Sequence, residues 1–117
     1  MGLNLWRNYE RKRKTFLEDF SRTVTEMGLR WEISRLGYIR ACDEEGYEYC
    51  PVSAVMMLRK GWRTDIVGFW RRAGIPLLLQ WNILSAADNS NQHDRNRQAL
   101  LRIIREAKEE AKELVAV

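Results

Sequence analysis

Two cysteines, one histidine and a few aspartates are the side chains of this 117-residue sequence that could do covalent or metal chemistry. Both cysteines fall in GYIRACDEEGYEYCPVSAVMM, residues 37–57, where Cys50 directly precedes a proline-led apolar run. A thiol at a helix start meets the positive end of the helix dipole, which lowers its pKa and sharpens it as a nucleophile. His93, with Asp94 or Asp88, could complete a Cys/His/acid arrangement, so a Cys-dependent enzyme is one reading. Against it, His93 lies in the polar stretch DNSNQHD, no glycine-rich oxyanion loop is visible, and cysteine is commonly a small buried hydrophobe. The expectation for Cys50 is therefore a packed or capping thiol, with no catalytic residue.

Metal and cofactor chemistry find less support. Zinc needs three or four N, S or O ligands in tetrahedral reach, but Cys42 and Cys50 are widely spaced and His93 is the single histidine. Asp88-Asn89 with Asp94 lacks the spaced acids and terminal Glu of a calcium loop. The glycines of GLRWEISRLG and GWRTDIVGFWRRAG fit neither the dinucleotide nor the P-loop spacing. No metal and no cofactor is expected.

Basic residues interleaved with aromatics offer a different function. RNYERKRK and WRRAG combine cations for phosphates with rings for bases, the pairing that single-stranded nucleic acid uses. Arg7, Arg11, Lys12 and Lys14 are the nucleic-acid candidates. A helix-turn-helix at 64–87 is excluded because its reading helix, PLLLQWNILSAA, presents no basic side chain to a groove. The same cations could instead be a solvated helix face or meet an acidic protein surface. Aromatic and arginine side chains are also the usual anchors of protein interfaces, and Arg13, Trp62, Arg71 and Arg72 are the candidates for that role.

The elements that must position these residues read as follows. Residues 4–27 form a first helix, with Trp6, Tyr9, Phe16, Leu17, Phe20, Val24 and Met27 on one face and Gly28 past its end. Arg13 interrupts that stripe and must snorkel, pair or face a partner. Glu10–Lys14 and Glu18–Arg22 sit at favourable helical spacing on its outer side. Residues 29–36 stay ambiguous. ACDEEGYEY reads as a hairpin with Gly46 in the left-handed position, pairing Ala41 with Tyr49 and Cys42 with Glu48. That register puts Ile39, Ala41, Tyr47 and Tyr49 on one face and leaves the two sulfurs diagonal, a poor geometry for a disulfide. Pro51 opens a helix closed by Gly61, and a second runs from Thr64-Asp65 to Gly74. A third follows Pro76, apolar on every side and so expected to be the central helix. Residues 95–117 form the last, with Leu100, Ile103, Ile104, Ala107, Ala111 and Leu114 inward.

The fold class expected is all-α, or α with one minor β-hairpin: a compact single domain over 1–117 with about five helices. Apolar residues at 45% and charged residues at 31% suit a globular chain rather than a disordered one. Net charge is +4, carried by a mildly basic body with an acidic tip at Asp43, Glu44, Glu45 and Glu48. No apolar run approaches the ~20 residues that span a bilayer, and MGLNLWRNYE has neither a secretory core nor Ser or Thr at position 6 for myristoylation. A cytoplasmic protein without a membrane association is expected. Residues 37–89 are similar in pattern to small bacterial and phage proteins but carry no motif that identifies a family. The leading functional expectation is a small non-enzymatic protein-binding or regulatory module, such as an inhibitor or accessory protein of a phage or mobile element. A nucleic-acid binder is the alternative. Leftover apolar stripes would favour a homodimer.

Overall fold

The apolar stripe at the start of the chain folds as helix α1, Gly2–Glu26, in the computed structural model, which describes residues 2–61, 74–88 and 93–116. Phe16 and Phe20 are fully buried at the middle of its inner face, and Gly28 takes the left-handed conformation just past its end (φ 66°). At 1.5 Å per residue α1 is about 37 Å long, and its side chains pass from exposed at residues 4–8 to buried at Phe16 and Phe20. Its first turns therefore run beyond the densest part of the core. Trp6, expected inside, is 56% exposed for that reason.

Residues 29–36 resolve as an edge strand. Strand β1 (Arg30–Ile33) pairs antiparallel with β2 (Ile39–Cys42), which pairs in turn with β3 (Glu48–Tyr49). The single expected hairpin is thus one half of a three-stranded sheet. The inner hairpin keeps the register read from its sequence, Ala41 opposite Tyr49 and Cys42 opposite Glu48. Gly46 has φ 93°, and the Asp43 carboxylate holds the turn by accepting from the amides of Glu45 and Tyr47 and from the Tyr49 hydroxyl at 2.8–2.9 Å. Ile39, Ala41 and Tyr49 point inward, but Tyr47, past the end of the ladder, is 52% exposed. Trp31 on β1 meets Phe20 edge-on, ring centroids 4.8 Å apart.

Helix α2 (Pro51–Lys60) is the central one. It buries Pro51, Val52, Ala54, Val55 and Met56 and packs on α1, the sheet and helix α3 (Leu77–Asp88). The expectation that the apolar run after Pro76 forms the centre is overturned. Leu79, Gln80, Ile83, Ala86 and Ala87 of α3 are buried, while Leu77, Leu78 and Trp81 on its other side face solvent. Helix α4 (Arg95–Ala116) closes the fold against α1 and α3. Leu100 and Ile104 are buried, Ile103 and Ala107 partly so, and Ala111 is exposed; the Leu114 side chain lies outside those described. The described residues hold four helices. The expected helix beginning at Thr64-Asp65 lies outside them.

Candidate functional site

The residues singled out for thiol chemistry are held by structural duties. Cys50 is the N-cap of α2: its sulfur accepts from the Ser53 amide at 3.4 Å, and the Ser53 hydroxyl accepts from the Cys50 amide at 2.9 Å. This reciprocal capping box satisfies two donors that the first turn of a helix leaves without partners. Asp94 caps α4 in the same manner, accepting from the Asn96 and Arg97 amides at 2.8 and 3.1 Å. Asp88 pairs with Arg40 across 3.4 Å, tying the end of α3 to β2. Both acids proposed to orient His93 thus have other partners. Among the described residues no group of three or more His, Cys, Asp or Glu is gathered at metal-binding distance.

The capping role gives a measurable expectation. Cys50→Ala should lower stability in urea denaturation by about 0.5–1 kcal/mol, as loss of an N-cap acceptor does, while Cys50→Ser should stay within a few tenths. An unchanged midpoint in the alanine variant would deny the sulfur its capping role.

A different constellation emerges where the overhanging start of α1 faces α3 and the first turn of α4. Leu5, Trp6, Tyr9, Leu78, Asn82, Arg95 and Asn96 line a groove of about 450 Å³. The Trp6 ring lies beside Tyr9, centroids 6.3 Å apart and planes 18° from parallel, and the Arg95 guanidinium sits 5.6 Å from its centre. Arg95 is anchored in turn by an ion pair with Glu10. Asn82 donates to the Tyr9 hydroxyl at 2.5 Å, and the Arg13 Nε donates to Asn96 at 2.6 Å. Asn82, Arg95 and Glu10 thus brace an aromatic wall that water reaches. Such a wall is already ordered, so a ligand docking on it loses little side-chain entropy.

Glu10 titrates accordingly. The hydrogen bond from Arg95, the largest influence, holds its carboxyl below the ordinary carboxylate range, while partial burial acts in the opposite direction. A depressed pKa in the folded state means that the pair stabilises the fold above the unfolded value of about 4.3; that stabilisation is lost as pH falls through the folded value. Carboxyl NMR titration should find Glu10 below that reference in the wild type and back near it in Arg95→Gln. Equal values in the two proteins would mean that the ion pair is absent in solution.

The interface candidates divide. Arg13 is half-buried and bonded to Asn96, a residue of the groove's lining. Trp62, Arg71 and Arg72 lie outside the described residues. Arg7, Arg11, Lys12 and Lys14 are all exposed on α1. Of these, Arg7, Arg11 and Lys14 share the outer face by helical spacing, and Arg11 also bonds Asn8 at 2.9 Å. Lys12 lines a separate hollow with Asp19 and Arg59, whose other wall includes Arg11; the Asp19–Arg59 ion pair at 2.6 Å joins α1 to α2. The helical pairs expected for α1 form otherwise, Glu10 turning to Arg95 and Arg22 to Glu26.

Sequence reasoning missed Leu5, Leu78 and Trp81 as surface residues and Arg95 as a brace. The available signal was the length of α1, which outruns the core, and an all-round apolar helix near the middle of the chain. No protein-family model matches the chain, and no curated protein or solved structure matches it either.

Proposed function

We propose that the chain is a non-enzymatic protein-binding module, a regulator, inhibitor or accessory protein in kind, and that it binds through the apolar patch shared by α1 and α3. One observation carries the reading: Leu5, Trp6 and Leu78, 71, 56 and 63% exposed, line a single groove, and Trp81, 64% exposed, stands one helical turn from Leu78 on the same helix. Leu77 beside them adds a further apolar side chain in water. Contiguous apolar surface on this scale marks interaction sites, and tryptophan is the residue most often found at their energetic centres. Binding is supported over catalysis because the thiol, the acids and the groove's polar groups all hold structure. The test is capture from native-host extract by the wild type and by a Leu78→Gln, Trp81→Gln double variant. A protein, this chain included, should be retained by the first and lost by the second. Identical capture by both would reject the reading.

Nucleic-acid binding is the second reading, favoured by the exposed stripe of Arg7, Arg11 and Lys14 with Lys12 beside it. Three or four phosphate contacts would make the logarithm of affinity fall with the logarithm of salt with a slope of about −3. A flat salt response would dispose of it.

A further inference from the structure

We infer that the occupant of the α1–α3 patch is a second copy of this chain, joined through a two-fold symmetric contact; the inference rests on the protein-binding reading above. In a two-fold interface the same patch meets itself, so it must be self-complementary in shape and must not carry unbalanced charge.

The patch meets the shape condition because it carries both a projection and a recess. Trp81 stands out from α3 with nearly two-thirds of its surface in water. One helical turn away, Leu78 forms one wall of the groove whose other walls are Leu5 and Trp6. A two-fold rotation can seat the Trp81 of each copy in the groove of the other.

Charge satisfies the second condition. Among the described residues the groove's lining holds one cation, Arg95, which is neutralised within the same chain by Glu10, while Arg13, outside that lining, is half-buried and donates to Asn96. Of the other cations of the helix, Arg7, Arg11 and Lys14 stand on its outer face, away from Tyr9 and the groove, Lys12 lines a separate hollow with Asp19 and Arg59, and Arg22 pairs with Glu26. A partner chosen by opposite charge would need an unbalanced charge here to recognise. A second copy of a chain with net charge +4 is better met by a groove whose lining cation is already paired within its own chain.

Area agrees. Two indoles and three leucines, each roughly half exposed or more, leave on the order of 500 Å² of apolar side chain in water. That is most of the roughly 800 Å² that each partner contributes to a standard interface.

Sedimentation equilibrium of the full chain over a concentration series tests this directly. The wild type should move from 13.9 kDa toward twice that mass as concentration rises. Leu78→Gln with Trp81→Gln should stay at the monomer mass, and Arg11→Gln, on the opposite side of α1, should dimerise like the wild type. Far-UV circular dichroism of each variant shows whether its fold is kept; should the double variant unfold, Trp6→Gln takes its place, removing a groove wall instead of the projection. A wild type that stays monomeric while still capturing another protein through the patch would overturn the self-association and spare the binding reading. Loss of both would sink the two together. A dimer that persists in the patch variants would overturn the inference by locating the contact elsewhere, for example at the exposed Ile33 and Leu36 beside the first turn of the sheet.

Discussion

Replacing Phe20 with alanine is expected to lower folding stability by about 3–5 kcal/mol. Phe20 has no accessible surface, lies on the inner face of the longest helix, and meets Trp31 edge-on at 4.8 Å. It thus joins α1 to the edge strand of the sheet. Its removal takes away the transfer energy of a phenyl ring, opens a cavity, and deletes an aromatic pair worth about 0.5–1.5 kcal/mol beyond area. Collapse cannot repair the hole cheaply, because Trp31 is held by backbone pairing to Ala41 and Phe16 is fixed one helical turn away. A domain of this size holds roughly 5–15 kcal/mol in all, so the variant should unfold at a much lower urea concentration. A loss under about 1 kcal/mol would be too small for a buried phenylalanine and would contradict the packing of α1 on the sheet.

The second large effect contrasts two residues of one helix. Ile83→Ala should cost about 2–4 kcal/mol, because Ile83 is fully buried and its truncation leaves a cavity. Trp81→Gln, two residues earlier, removes a larger side chain yet should change monomer stability by no more than about 0.5 kcal/mol. The indole is 64% exposed, and glutamine is a good helix former. The measurement is urea unfolding at concentrations low enough to keep the protein monomeric. Its outcome separates an interior helix, where both substitutions would be costly, from a helix with one face set aside for binding.

That helix also shows where sequence reading stops. A hairpin register is legible because it follows from a period of two and a turn that demands glycine at one position: Gly46 and the Ala41–Tyr49 pair stand where residues 41–49 put them. The caps at Pro51 and Gly61 are legible for the same local reason, and the Gly61 amide closes the helix on the Met57 carbonyl at 2.7 Å. Leu77, Leu78 and Trp81 obey no local rule, since apolar composition is shared by a core face and an interface face. The positions of α2 and α4 decide which half of α3 is covered. β1 was ambiguous because its turn, Ser34 to Tyr38, is closed by serine bonds and Gly37 rather than by a strong two-residue turn signal. Arg95 was invisible as a groove residue because its partner Glu10 is 85 positions away.

Cys50 was expected to pack or cap, and it caps the helix on which the other elements pack. A hydrogen-bonding side chain ahead of Pro51 satisfies the first turn of that helix.

The most direct measurement is the indole N–H region of a two-dimensional NMR spectrum, recorded over a dilution series of the full chain. Trp6 and Trp81 should shift with concentration, because association covers them, while Trp31, already buried beneath the sheet at 3% exposure, should not move. Signals of Trp6 and Trp81 that stay fixed from dilute to concentrated protein would contradict an association surface on α1 and α3 that the chain itself occupies.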